Sequence, residues 1–221
     1  MMPVSVITGV AAPLPIANID TDVIIRIEHL TQTARESLGA FALGSLRFRA
    51  DGTEDPDFIL NQRPWRDAPI LVAGRNFGCG SSREHAVWAL QGLGIGCVIA
   101  TSFGDIFRAN CFQNGLLPVQ LDAEVHERLL TTLEAGRLAG QAVILGVDLV
   151  RQVVSVPGSA DLPFVIDAGR RLALLEGLDE IGQTLTHAAL IAAWQAKDRD
   201  ERPWIWPSTG VGQQTPGTTS R

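Results

Sequence analysis

The sequence has no long hydrophobic run. Its longest mostly apolar stretch, Gly92 to Ala100, is too short and too glycine-rich to span a bilayer, and no basic segment precedes an apolar one at the N-terminus. A membrane span and an export signal are therefore not expected, and the sequence reads as cytoplasmic. Basic clusters are also missing. The net charge is −6, and no run of Lys or Arg exceeds two residues, so nothing supplies the cationic stripe that nucleic acid requires. Cysteine is scarce, with Cys79, Cys97 and Cys111 an odd and widely spaced set that excludes a disulfide framework and contains no C-x-x-C pair for zinc or an iron–sulfur centre. Reduced, packed thiols are the expectation. What is present is a 221-residue chain with 46% hydrophobic and 19% charged residues, enough to bury roughly 70% of its unfolded surface without a disulfide or metal staple.

Along the chain, strand and helix signals alternate. Residues 68–74 (APILVAG) form an apolar run ending in glycine, 75–80 (RNFGCG) a glycine-rich turn, and 81–91 a helix in which Ser81 and Glu84 have capping-box spacing. The unit repeats with a strand at 97–101, a helix at 103–113 stopped by Gly115, and a strand at 116–121. Asp122 is then positioned to cap an amphipathic helix that Gly136 should end. Strands separated by helices imply parallel pairing through crossovers. The β-branched runs within 4–27 and 143–166 add strands, and helices are expected at 168–176 and about 179–197. Residues 28–67 read as a long loop with a function, and 201–221, rich in Pro, Gly, Ser and Thr, as a flexible tail. The domain proper is expected to occupy 1–200.

The strongest chemical signal is GRNFGCGSSREHA, from Gly74 to Ala86. A glycine turn there delivers Ser81, Ser82 and Arg83 to a helix N-terminus. Backbone N–H groups and the positive end of the helix dipole suit a carboxylate or phosphate, and Arg83 can add a bidentate pair. The same field would stabilise a serine alkoxide able to take a carbon-bound proton. Spacing alone equally allows a tight turn whose serines only cap the helix. Other motifs fail letter by letter. A P-loop needs Gly-Lys-Ser/Thr where Cys79 stands, the dinucleotide fingerprint needs a glycine where Arg83 stands, and a nucleophile elbow needs a glycine where Glu84 stands. Asn18-Ile19-Asp20-Thr21-Asp22 is a second cluster. In an extended segment its two carboxylates would point the same way toward a cation or hydroxyl, while an Asx turn on a solvated edge accounts for the same letters. His29, His85, His126 and His187 form no metal-ligand constellation by spacing.

At NIDTDVII (18–25), NFGCGSSREHAVWAL (76–90), SFGDIFRANCFQNGLLPV (102–119) and IDAGRR…GLDEIGQTL (166–185) the chain resembles the 3-isopropylmalate dehydratase small subunits, relatives of the swivelling domain of aconitase. The likeness runs in order from residue 5 to about 198. It implies an α/β fold: a swivelling β/β/α domain with a mainly parallel sheet flanked by helices. It also implies a hydro-lyase in which a separate large subunit carries a [4Fe–4S] cluster acting on the leaving hydroxyl of a hydroxy diacid, with no cofactor or metal on this chain. By the resemblance, Ser81 is the base, Ser82 assists, and Arg83 binds a substrate carboxylate. Asp22 and Thr21 order the site, and Arg35 in the 28–67 segment lies near a basic substrate-recognition position. The chain departs from the family pattern at Arg26 (usually Pro), at His29 (usually aromatic) and at Ser45-Leu46-Arg47 (commonly Asp-Trp-Arg). These departures fall in the segment expected to face the substrate's variable group, so a related diacid such as citramalate is a second candidate, and a non-catalytic binding module of the same fold a third.

Overall fold

The computed structural model describes residues 1–31, 33–80 and 83–206. Ser81, Ser82 and the stretch 207–221 of the expected tail lie outside the described residues. Seven strands, β1 (Val6–Leu14), β2 (Ile70–Ala73), β3 (Cys97–Ala100), β4 (Leu117–Gln120), β5 (Ile144–Asp148), β6 (Val153–Ser155) and β7 (Leu162–Pro163), form one sheet in the order β4-β3-β2-β1-β5-β6-β7. The helices are α1 (Thr21–Ile24), α2 (Gly44–Arg47), α3 (Glu84–Gly92), α4 (Asp105–Asn114), α5 (Ala123–Leu138), α6 (Ala168–Glu176), α7 (Glu180–Leu185) and α8 (Ala188–Glu201). Strands β1 to β4 pair in parallel, as the helical crossovers require, whereas β1–β5, β5–β6 and β6–β7 are antiparallel. The sheet is thus mixed rather than mainly parallel. Its second half is a meander whose short turns leave no room for a crossover helix.

The central strands are four-residue apolar runs because both of their faces are covered. Alternate residues serve two cores. Leu71, Ala73, Val98 and Ala100 join Ala86, Val87, Ala89 and Leu90 of α3 and Phe107 and Cys111 of α4. Ile70, Val72, Cys97 and Ile99 join Leu129 and Leu133 of α5, Leu145 and Val147 of β5 and Leu174 of α6. Burying a leucine such as Leu90 fully stabilises the fold by about 1.5–3 kcal/mol.

The segment 28–67 is not a loose loop. Short helical turns at Arg35–Phe41, Ile59–Asn61 and Trp65–Asp67, together with α2, insert Leu38, Leu43, Ile59, Leu60 and Trp65 into the first core. Gly39 abuts α3 so closely that a Cβ on it would lie 2.1 Å from the Gly92 carbonyl carbon. Arg47 locks the excursion from inside. Its buried guanidinium donates to the carbonyls of Gly39, Ala40 and Ala42, and burial lowers its pKa from the usual arginine value. Charge and glycine content disguised these anchors, because the apolar residues are spaced by the turns of an irregular path and follow neither helical nor strand periodicity.

Several boundaries also shift. Helix α5 runs through Gly136 to Leu138, and Asp122 stands at its N-cap without a side-chain cap hydrogen bond. The helix expected over 179–197 is two helices, α7 and α8. The chain divides into compact units Met1–Glu180 and Ile181–Arg221, so α8, which the sequence reading joined to the main domain, falls in the second. Within that unit the ordered chain continues past residue 200. The Asp198 carboxylate, 5% exposed, accepts from Arg202 and from Trp206 Nε1 (3.0 Å), and Arg199 stacks on the Trp206 ring.

His126 on α5 is 4% exposed. Burial holds its imidazole below the ordinary histidine value, outweighing an opposing contribution from the backbone of Ala73 and Ile99. The unfolded chain therefore takes up a proton that the folded chain resists. Stability is expected to fall as the pH drops below about 6.5. Urea titrations across pH 5–8 should show that dependence, and His126→Gln should remove most of it.

Candidate active site

Three loops leave the carboxyl ends of the parallel strands β1, β2 and β3 and meet at one place, the end of an open α/β sheet where ligands characteristically bind. The loop after β2 is the glycine turn 74–80, held on both sides. On the β1 side, Gly74 N donates to Leu14 O (3.1 Å), Asn18 N to Arg75 O (2.9 Å), Gly78 N to Ile19 O (2.7 Å) and Thr21 N to Cys79 O (3.1 Å). On the β3 side, Asn76 N donates to Ser102 Oγ (2.9 Å), Phe77 N to Ser102 O (3.1 Å) and Gly104 N to Phe77 O (2.9 Å). Glycine is required at the centre. Gly78 has φ +72°, and a Cβ there would lie 2.2 Å from Phe107 Cγ. Two sequence-distant motifs, NIDTD and SFGD, thus turn out to be the clamps of the third.

The acidic cluster is not extended. Asp20 is the N-cap of α1, its Oδ1 accepting from Val23 N at 2.8 Å, so this carboxylate is spent on the backbone. Asp22, one residue into the helix, is turned elsewhere and lies 3.5 Å from Arg83 Nη1. The two aspartates therefore do different work. Thr21, between them, is 2% exposed and pinned to Cys79 through its backbone.

Arg83 is the N-cap residue of α3, with no side-chain cap hydrogen bond. With Arg83 at the N-cap, Glu84 stands at the first helical position rather than the third, and it accepts from Asn114 Nδ2 (2.8 Å). Arg83 Nη1 is buried and has no hydrogen-bond partner among the described residues, although Asp22 stands beside it. A buried guanidinium nitrogen left unpaired is unfavourable, and a bound carboxylate would satisfy it. In the sequence, Ser81 and Ser82 are the two residues that join the clamped turn to this arginine.

Arg35 is held on the Trp88 side of α3. It stacks over the Trp88 ring (4.5 Å), donates to Asn114 Oδ1 (3.4 Å), and lines a cavity of about 610 Å³ with Gln91, Gln113 and Asn114. The departures from the family pattern share another place. Arg26, His29 and Ser45 line a cavity of about 400 Å³, where His29 stacks on Phe41 (4.0 Å) and Arg26 pairs with Glu28 (3.1 Å). Leu46 packs partly buried against the core. Ser102 and Asn114 are organising residues that sequence reasoning missed. Only the Asn-Gly pair ending α4 hinted at the second.

Among the described residues no group of three or more His, Cys, Asp or Glu could hold a metal ion, and no helix is long and apolar enough to cross a membrane. Burial pushes the Cys97 and Cys111 thiols well above their ordinary range, so neither offers a thiolate.

Comparison with known proteins agrees with this architecture. Residues 1–124 match the aconitase C-terminal domain family. The chain is 52% identical over 200 residues to the 3-isopropylmalate dehydratase small subunit of Gluconacetobacter diazotrophicus, covering 90% of this chain and 95% of the relative. It is 50% identical to that of Rhodospirillum centenum, with 90% and 97% covered. Among solved structures, the 3-isopropylmalate dehydratase crystal structure from Methanocaldococcus jannaschii matches with a TM-score of 0.60 and 26% identity, covering 86% of this chain and 99% of that one. A glycine turn clamped by two neighbouring loops, an N-cap arginine and this degree of likeness over nearly the whole length lead to one conclusion: the chain belongs to the 3-isopropylmalate dehydratase small-subunit family, built on the aconitase C-terminal domain.

Proposed function

We propose that this chain is the small subunit of a hydro-lyase that interconverts 2-isopropylmalate and 3-isopropylmalate by dehydration and rehydration in leucine biosynthesis, in the cytoplasm. The observation that carries the reading is the buried Arg83 Nη1, which has no hydrogen-bond partner among the described residues, beside Asp22 and just after the clamped turn. In this scheme Arg83 takes a substrate carboxylate in a charge-assisted pair, and Asp22 keeps the guanidinium aimed while Thr21 anchors the segment that holds Asp22. Ser81, with Ser82 assisting, abstracts the proton from the carbon next to the one that loses hydroxide, and returns it in the reverse direction. The positive end of α3 and Arg83 stabilise the alkoxide this requires. Arg35 supplies a further contact to the diacid.

This chain has no set of cysteine thiolates for an iron–sulfur cluster. The reading therefore assigns the [4Fe–4S] cluster to a large-subunit partner, where it provides the Lewis acid for the leaving hydroxyl. The serine base and the arginine are what this chain contributes.

One observation supports a second reading of the substrate. Arg26, His29 and Ser45, all departures from the family pattern, line the same cavity, and a polar lining there suits a smaller side group such as that of citramalate.

Activity should appear only when the chain is combined with an anaerobically prepared, cluster-bearing large subunit. In that complex Ser81→Ala should lower kcat by about 10²–10⁴-fold with little change in KM, because a general base acts in the transition state. Near-wild-type turnover would remove Ser81 from the mechanism. Arg83→Ala should weaken substrate binding by about 2–5 kcal/mol, seen as a raised KM, if the carboxylate pair is desolvated. A substrate panel should rank the isopropylmalate isomers above citramalate, and the reverse order assigns the second reading.

A further inference from the structure

Asn114 is the last residue of α4, where Gly115 in the left-handed conformation (φ 80°) ends the helix. Its side chain is fully used. Oδ1 accepts from Trp88 Nε1 (2.7 Å) and Arg35 Nη2 (3.4 Å), while Nδ2 donates to Glu84 Oε1 (2.8 Å) and Asn110 O (2.9 Å). An amide has two acceptor sites and two donors, so each is occupied, and the indole donor and the carboxylate acceptor together fix which way the amide faces. The main-chain carbonyl of Asn114 accepts from Gln91 Nε2 (2.7 Å). Glu84, Trp88 and Gln91 follow one another at helical spacing along α3. One residue of α4 therefore grips a whole stripe of α3.

That grip is located where the site needs it. Arg83, the N-cap residue of α3, makes no side-chain cap hydrogen bond, and the first-turn Glu84 is committed to Asn114. The position of the first turn of α3, and with it Arg83, is set from the side by this hydrogen bond. We propose that Asn114 is a positioning residue: through Glu84 and Trp88 it fixes where α3 begins, and so where Arg83 presents its guanidinium to a substrate carboxylate. The same Oδ1 seats Arg35 against Trp88. The proposal rests on the reading of Arg83 as the carboxylate ligand.

The test uses the complex reconstituted with its large subunit. Asn114→Asp keeps the volume and the acceptor for Trp88, removes both Nδ2 donors, and places a second carboxylate beside Glu84. KM for isopropylmalate should rise about tenfold, within the range that small misplacements produce. In an Arg83→Lys background the same substitution should add less than about twofold, because the guanidinium that Asn114 positions is gone. Adding Glu84→Gln to Asn114→Asp lets Gln donate to Asp, reversing the hydrogen bond, and should return KM to within about twofold of wild type. Thermal unfolding of every variant is measured alongside. A lowered Tm with unchanged KM, or full additivity with Arg83→Lys, overturns the proposal. If Asn114→Asp does not assemble, Trp88→Phe removes the indole donor alone; it should raise KM in the same non-additive way, and an unchanged KM overturns the proposal too. An unaltered KM in Arg83→Lys by itself refutes the carboxylate role of Arg83 and the proposal with it, an outcome distinct from failure of the Asn114 variants alone.

Discussion

The clamping of one glycine turn between two loops is the constraint from which the site follows. Residues 74–80 have no regular structure of their own, and a free segment of that composition would sample many backbone conformations. Seven backbone-directed hydrogen bonds, from the 14–21 segment on one side and 102–104 on the other, select one of them. Tight contact between Gly78 and Phe107 adds a steric stop, since any larger residue would meet the ring. The loops can meet only because β1, β2 and β3 are parallel neighbours, which puts all three carboxyl ends on the same edge of the sheet. Topology thus creates the clamp, and the clamp delivers the helix that carries Arg83.

The electrostatics are correspondingly economical. Two aspartates one residue apart are separated in role by a four-residue helix: Asp20 closes the helix N-terminus, and Asp22 faces the arginine. An exposed ion pair of this kind contributes little to stability, because Asp22 remains largely in water. Its value lies in orientation. By holding Arg83 near a carboxylate without fully satisfying it, the site keeps a buried donor available for a ligand of the same chemistry.

The 28–67 excursion shows how a segment can read as solvent-facing and still be structural. Arg47, conspicuous in the sequence as a charge, acts internally by donating to three carbonyls at the end of the Arg35–Phe41 turn. The polar residues around it line a cavity at the surface, and its apolar residues complete the core under α3. A buried anchor and an exposed polar face therefore coexist in one stretch.

Strand and helix alternation from residue 68 to 138 was legible in the sequence because each element there buries a continuous apolar face, and hydrophobic periodicity reports burial directly. The Gly74–Ala86 motif was legible as a glycine turn leading into a helix, although the helix begins at Glu84 with Arg83 as its N-cap rather than at residue 81. The position of the meander β5–β7 beside β1, the docking of NIDTD against the glycine turn, and the anchoring of 28–67 against α3 were decided only in three dimensions, since each depends on partners more than 20 residues away. The same holds for Asn114. Nothing in its neighbourhood along the chain distinguishes it from any asparagine ending a helix, and its role exists only because packing α4 on α3 brings Glu84, Trp88 and Gln91 within reach of a single amide. Sequence fixes what a residue can donate or accept; which partner it meets is settled by the packing of elements whose contacts are long in sequence and short in space.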